Sequence, residues 1–480
     1  MSNFSRRQFL KGSLAAGAAL ALPSALSAPK VLGANEDIRL AIIGLGGQGN
    51  GLGNRFHGMD GVQIAALVEP DRNRLEQAHE NVPEADAYVD YRDALDRDDI
   101  DAVVLAMSVH WHAPMAVYAM EAGKHVYVEK PFSHNTWESY QVLNAARNHD
   151  RICQVGTQQR SDPMQAEIKE FLDNSDFGEL QWVKIMRYGT RGSIGLRDEP
   201  LEPPDHVEYD LWLGPAQDQP MYRDELQYDW HWDFNTGSGE TGNWGPHVID
   251  DAYNIGLRDY GGLPYRAVAA GGRLLWNDGG DTPNTVIHYF DTEVCPVTFE
   301  VRNLPETGNY RGVGTGYLLQ FENGYFTGRR GGGEAYDADG NEIESFSGDA
   351  GGGHLANFIE AVREHDRTIL NGEVETILPS ITLCHMANVA YRVGELHQGE
   401  FTPAELNALA SDFEGWSGQV DSFFEHLDRN EIDTEAEDIR VTSVVEFDPE
   451  TGYLAGDSDT EENRVFQRRE YREPFVLEEQ

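Results

Sequence analysis

Residues 126–132 read VYVEKPF, an alternating, β-branched run that closes on an acid, a base and a proline. A lysine at the carboxyl end of such a strand, here Lys130, loses hydration when the strand is buried. A neighbouring positive charge depresses its ammonium further and brings the amine into the range of proton transfer near neutral pH. Pro131 fixes the backbone behind it, and a cis bond there would aim the side chain. On spacing alone, an exposed gatekeeper lysine at a strand end accounts for the same residue equally well. Further along, Asn243, His247 and Asp250 follow a glycine-rich stretch at intervals of four and three. A helix starting there would turn all three towards one side, with Asp250 placed to hold the His247 imidazole in one tautomer. A helix-capping Asn243 beside a structural His247 is the plainer alternative. His110 and His112 alternate as metal ligands can, but no carboxylate stands at a diagnostic spacing, so no metal is expected.

These groups need a scaffold, and the chain outlines one. Residues 38–43 are mostly apolar and end in Gly44-Leu45-Gly46-Gly47-Gln48-Gly49, with helix-compatible sequence beyond. A buried strand that turns through G-x-G-x-x-G into a helix sets backbone N–H groups and the positive helix end against a pyrophosphate. Residues 62–68 supply a second strand ending in Glu69, twenty residues after Gly49. A carboxylate there accepts from the adenosine ribose hydroxyls and repels a 2′-phosphate, which favours NAD over NADP. The alternation continues through a helix from about Asp71, a strand over 100–106, a helix over 111–122 and the strand over 124–129. Strands alternating with helices predict an α/β fold, a Rossmann-type doubly wound parallel sheet with ligands beyond the strands' carboxyl ends. Lys130 falls at that edge.

The second half reads differently. Residues 180–188, 266–274, 284–290 and 294–301 alternate as long strands, with shorter partners over 316–321 and 324–328. Consecutive strands without intervening helices predict an α+β domain on a large open, mostly antiparallel sheet, with the boundary near Gly156. Residues 355–365 and 380–397 return as amphipathic helices that could pack back on the nucleotide domain. Residues 190–244 are rich in aromatic side chains interspersed with polar ones, which suits either a carbohydrate ring or a long loop packed on itself.

A formal charge of −45, from 82 acidic against 37 basic residues, repels phosphate backbones and anionic membranes. Nucleic-acid binding is therefore not expected, and the acidic surface suits a salt-rich habitat. The first 34 residues combine Arg6-Arg7, a short apolar run and a small-residue exit, the pattern of a twin-arginine export signal, which implies a periplasmic or other extracytoplasmic protein that is not membrane-embedded. Only Cys153, Cys295 and Cys384 occur, each in an apolar context that fits buried thiols rather than a disulfide framework.

The glycine fingerprint, the block Ala122-Gly123-Lys124-His125-Val126-Tyr127-Val128-Glu129-Lys130-Pro131 and the later His247-Val248-Ile249-Asp250 resemble the glucose-fructose oxidoreductase, inositol dehydrogenase and rhizopine-catabolism (Gfo/Idh/MocA) family. The resemblance runs from about Ile38 to about Gly399. It implies hydride transfer between NAD(P) and a sugar or cyclitol carbon; Glu69 favours NAD, and export implies that the cofactor is tightly held. Gly44, Gly46, Gly49, Glu69, His112, Glu129 and Lys130 would contact the cofactor. Lys130 would take the hydroxyl proton, with His247 as partner or alternative shuttle, Asn243 orienting the hydroxyl and Asp250 supporting His247. The family commonly has Asp where this chain has Asn243, and Thr-Pro-Asn or Thr-Pro-Asp where it has Met107 to His110. The implied organisation is a signal peptide over 1–34, a nucleotide domain over 35–156, a substrate domain over 157–400 whose sheet mediates homo-oligomer contacts, and an acidic extension over 401–480 that either straps onto the sheet domain or a neighbouring subunit, or is disordered. Two other functions use the same residues: glycoside cleavage through transient C3 oxidation by retained NAD, and non-catalytic carbohydrate binding.

Overall fold

A computed structural model describes residues 37–257, 262–410, 413, 415–442 and 444–480. The twin-arginine leader lies outside the described residues.

Six strands form a parallel sheet in the order β3-β2-β1-β4-β5-β6: β1 Ile38–Ile43, β2 Val62–Val68, β3 Asp86–Tyr88, β4 Ala102–Leu105, β5 His125–Val128 and β6 Cys153–Val155. β1, β4 and β5 are buried nearly throughout, which is why they read as continuous apolar runs. The chain leaves β1 through Gly44 at φ +89°, where a Cβ would lie 2.6 Å from the Met107 nitrogen. It enters the helix Gly47–His57 with Gly49 so close to that turn that a Cβ would meet the Gly44 oxygen at 1.8 Å. Only glycine satisfies both positions.

The second sheet has eleven strands among the described residues, in the order β14-β13-β12-β11-β7-β10-β9-β8-β16-β15 with β17 on β8. Its long members are β7 Leu180–Tyr188, β8 Arg266–Gly272, β9 Thr285–Asp291, β10 Val297–Arg302, β11 Thr315–Phe321 and β12 Gly324–Arg329. Most pairs are antiparallel, while β10 and β7 run parallel. β13 Gly332–Asp337 and β14 Glu342–Ser347 were not evident in the sequence, because glycine pairs and an exposed acidic edge hide the alternation. The short strands β15 Glu395–Leu396, β16 Arg440–Val441 and β17 Val445–Glu446 complete the far edge.

The helix His354–Glu364 places Phe358, Ile359 and Val362 against Ile38, Leu40 and Phe56 of the nucleotide sheet. The helix Val374–Val393 corrects the expectation of an amphipathic helix starting at Ser380. It starts before Ser380, runs through Pro379 and is buried on nearly every face, because its first turns join the nucleotide core and its last turns the second sheet. Burial on both sides outweighs the backbone bond that Pro379 forgoes.

The tail has two parts. The helix Trp416–Arg429 covers the outer face of the second sheet, with Trp416, Val420, Phe423 and Leu427 against Val268, Ala270, Ile287 and Tyr289. The last residues cross the nucleotide domain: the Phe475 ring meets Trp111 at 5.4 Å, the Tyr471 hydroxyl donates to Glu138 at 2.7 Å, and Arg472 pairs with Asp210 at 2.6 Å. No helix of the described residues is long and apolar enough to cross a membrane.

Candidate active site

A cavity of about 460 Å³ runs from the glycine turn to the edge of the second sheet. Gly44, Gly46, Gly47, Gln48, Glu69 and Arg74 line one end; Lys130, Asn243, Trp244, His247 and Arg330 line the other. Gly46 caps the helix Gly47–His57 without a side-chain bond, so the opening N–H groups remain available to an anion. Glu69 accepts from the Leu45 N–H at 2.7 Å and the Asp71 N–H at 3.1 Å, and burial raises its carboxyl above the usual range. Two backbone bonds leave carboxylate lone pairs for further donors, as a ribose diol requires. The side-chain-free turn, the uncapped helix start and the buried acid together fit a dinucleotide.

Between the glycine turn and Lys130, Glu129 accepts from Gln48 Nε2 at 2.8 Å, Gln158 Nε2 at 3.2 Å and the Lys130 N–H at 3.3 Å. Burial raises its carboxyl, and the Lys130 charge partly offsets this. Gly156 makes room for it, since a Cβ there would lie 2.8 Å from Glu129 Oε1. The bond from Lys130 to Pro131 is cis. Lys130 Nζ donates to the Asn243 backbone oxygen at 2.9 Å and to Asn243 Oδ1 at 3.3 Å. Burial lowers the ammonium's pKa, with Glu129 and Glu240 opposing. A neutral amine has two N–H bonds and one lone pair. With both N–H bonds directed at Asn243, the lone pair is left for the cavity, as a proton acceptor needs. The Asn243 amide is itself oriented, because Nδ2 donates to Glu240 Oε2 at 3.2 Å.

His247 lines the same cavity and meets Trp244 edge-on, with ring centroids 5.6 Å apart. Neither of its nitrogens has a hydrogen-bond partner among the described residues. Burial, then the Lys130 charge, push its pKa well below the usual value, so the ring is neutral.

One expected placement is corrected. Asp250 does not touch His247: it holds Arg160 through bonds of 2.7 and 2.8 Å and accepts from Ser380 Oγ at 2.7 Å. Trp244 separates the short helix Gly239–Asn243 from Gly245–Ala252; Asn243 and His247 both line the cavity, and Asp250 does not. His112 lines the cavity, yet its Nδ1 faces the Pro131 oxygen at 2.6 Å and its Nε2 the Met107 oxygen at 3.0 Å. Burial lowers its pKa to about 4. The neutral ring has one N–H, which it donates to one of these two carbonyls, and so braces the backbone beside Lys130. His110 ties Thr236 and Trp212 carbonyls to the helix Val109–Glu121 from outside the cavity wall.

The aromatic segment packs on itself and also lines the cavity. Trp212 packs in a local cluster with Leu213, Met221 and Leu226, and with Tyr228, Trp230, His231 and Trp244 it also lines the cavity. Gln158, Arg160, Glu240 and Arg330 are functional neighbours that sequence reasoning did not assign. Only the GTQQR stretch at 156–160 offered a signal.

A parallel nucleotide sheet with a glycine turn and a terminal acid, joined to a large mixed sheet across one cavity, defines an NAD-binding Rossmann oxidoreductase fold. Residues 38–157 match the Gfo/Idh/MocA model described as "Oxidoreductase family, NAD-binding Rossmann fold". Residues 3–23 match the twin-arginine translocation signal, which directs the protein to export.

"Glycosyl hydrolase family 109 protein 2" of Shewanella sp. (strain ANA-3) is 34% identical over 221 residues, 40% of this chain and 45% of that protein. The α-N-acetylgalactosaminidase of Shewanella oneidensis is 29% identical over 222 residues, again 40% and 45% of the two chains. The chain thus spans less than half the length of the curated relatives it matches. The WlbA dehydrogenase from Bordetella pertussis, solved with NADH and UDP-GlcNAcA, has a TM-score of 0.56 at 18% identity, covering 75% of this chain and 97% of that one. At that identity the likeness is one of fold.

Proposed function

We propose that this protein is an exported, NAD-dependent oxidoreductase acting on a hydroxyl-bearing carbon of a sugar or cyclitol. The observation that carries the reading is Lys130: its Nζ donates to both oxygens of Asn243 on the wall of the cavity that begins at the glycine turn. Bound NAD supplies the hydride acceptor. Gly44, Gly46, Gly49, Glu69 and Glu129 hold it, and the Glu69 carboxylate favours NAD over NADP by repelling a 2′-phosphate. Lys130 removes the hydroxyl proton, neutral His247 hydrogen-bonds the same oxygen or passes the proton on, and Asn243 fixes the amine. Asp250 acts at a distance, anchoring Arg160 beneath the helix that bears His247. Trp212, Tyr228, Trp230 and Trp244 present ring faces to the sugar's C–H surface.

Outside the cytoplasm there is no pool of free NAD, so the cofactor is bound before export and retained. Denaturing the purified protein should release about one nucleotide per chain, and adding sugar to the native protein should reduce it. An empty supernatant overturns the reading. A second reading is favoured by the names of the curated relatives: glycoside cleavage in which the cofactor is reduced and restored within one cycle. Release of the aryl alcohol from an aryl α-N-acetylgalactosaminide without net NADH would select it.

A further inference from the structure

Adjacent arginines at the tip of one hairpin have opposite fates. β12 and β13 end on the pair Arg329 and Gly332, with Arg330 and Gly331 forming the turn. Gly331 has φ +71°, its N–H donates to Gln159 Oε1 at 3.0 Å, and its oxygen accepts from the Gly348 N–H at 3.1 Å, so the tip is pinned. Arg329 is neutralised from outside by both oxygens of Glu334, at 2.5 Å each. Arg330 lines the cavity, and its one hydrogen bond is a long one to Gln158 Oε1, at 3.4 Å. Among the described residues it has no acidic partner, in a chain with 82 acidic residues against 37 basic ones.

It shares the cavity lining with Lys130 and His247, and its charge lowers the pKa of both. The carboxylates near that end are already engaged: Glu240 holds Arg187 at 2.7 Å and Arg191 at 3.2 Å, and Glu129 holds Gln48 and Gln158. Arg55 also lines the cavity without an acidic partner, but it stands on the helix that follows the glycine turn, in the dinucleotide half. Arg330 therefore faces the cavity beside Lys130 as a cation with no carboxylate in contact among the described residues. An arginine's planar fork matches a carboxylate with two parallel hydrogen bonds. We infer that the substrate is an acidic sugar, its carboxylate received by Arg330 while Lys130 serves the hydroxyl. The inference rests on the oxidoreductase reading and adds a substrate class to it.

The test uses the purified protein with its cofactor in place and matched probes at neutral pH: glucuronate against glucose, galacturonate against galactose, and glucose-6-phosphate. Quenching of tryptophan fluorescence reports binding, and absorbance of the reduced nicotinamide reports turnover. The uronate should bind roughly tenfold to a hundredfold more tightly than its neutral counterpart, the range expected for a hydrogen-bonded charge. Arg330→Gln should bring that ratio close to one, whereas Arg329→Gln should keep it. Equal binding of acid and neutral sugars, stronger binding of the phosphate ester, a preference that survives Arg330→Gln, or loss of nucleotide from Arg330→Gln would each overturn the inference. If a uronate binds selectively through Arg330 yet never reduces the nicotinamide, the oxidoreductase reading falls and the carboxylate site stands. If neutral and acidic sugars reduce it equally, the reverse holds.

Discussion

Two desolvated lysines of this protein, one on a strand and one just beyond a strand's end, do opposite things. Lys184 on β7 is wholly buried between the second sheet and the tail helix. Its Nζ lies 2.6 Å from Glu300, which also holds Arg302 at 2.6 Å and the Tyr188 hydroxyl, and Gln419 from the tail accepts from Nζ at 3.3 Å. Lys130 beyond β5 touches only the neutral oxygens of Asn243 and opens on a cavity. Burial disfavours the ammonium at both places. What separates them is the counter-charge: an adjoining carboxylate locks Lys184 as a structural cation, and its absence frees Lys130 to exchange a proton. The same distinction separates Arg329 from Arg330.

The largest test of this contrast is Lys130→Met. It should lower reduction of the bound nicotinamide by sugar roughly 100- to 10,000-fold, the contribution of a positioned general base, with circular dichroism and nucleotide content as in the wild type. An activity loss below tenfold would show that His247, not Lys130, carries the proton.

Glu300→Gln is the mirror experiment. It strands Lys184 and Arg302 without a counter-charge and should destabilise the fold by about 3–5 kcal/mol, read as a lower denaturant midpoint, while turnover per folded molecule holds. Acid unfolding carries the same signature. Burial alone would raise the Glu300 carboxyl, but Arg302 and Lys184 bring it down to about 2 from an ordinary 4.5. A depressed carboxyl stabilises the fold above its unfolded pKa, and that stability drains away as pH falls from about 4.5 towards about 2. Glu300→Gln should lose that part of the pH dependence. Persistence of the full acid transition in the variant would place the titrating group elsewhere.

How much of this was readable in the sequence follows chain distance. The glycine turn, Glu69 and Lys130 are each fixed by one strand and the loop that leaves it, so pattern and spacing found them. Asp250 was placed beside His247 by helix spacing, whereas its partner Arg160 lies 90 residues away, a pairing that no local spacing encodes. The pairing of Gln158 with Arg330 joins positions 172 apart, across both sheets, and no local pattern encodes it. Lys184 was invisible as a buried ion for the same reason: Glu300 lies 116 residues away and Gln419 lies 235 away. The strands carrying these residues were legible, but their registry with the tail was not.

The smallest expected effect gives the sharpest test, because it converts one lysine into the likeness of the other. Asn243→Asp places a carboxylate where Oδ1 now stands 3.3 Å from Lys130 Nζ. An opposite charge at that distance favours the ammonium, so the Lys130 pKa rises and less of the amine is free at neutral pH. The rising limb of the rate against pH should move to higher pH by on the order of one unit, equivalent to about 1.4 kcal/mol. Glu240 works against this, since its Oε2 now accepts from the Asn243 amide at 3.2 Å and would instead face the new carboxylate. Arg187 and Arg191 already engage the other Glu240 oxygen and limit that repulsion. Adding Glu240→Gln to Asn243→Asp removes the repulsion and should enlarge the shift. A profile that stays in place in both variants would mean that counter-charge does not set the behaviour of Lys130, and the contrast with Lys184 would lose its cause.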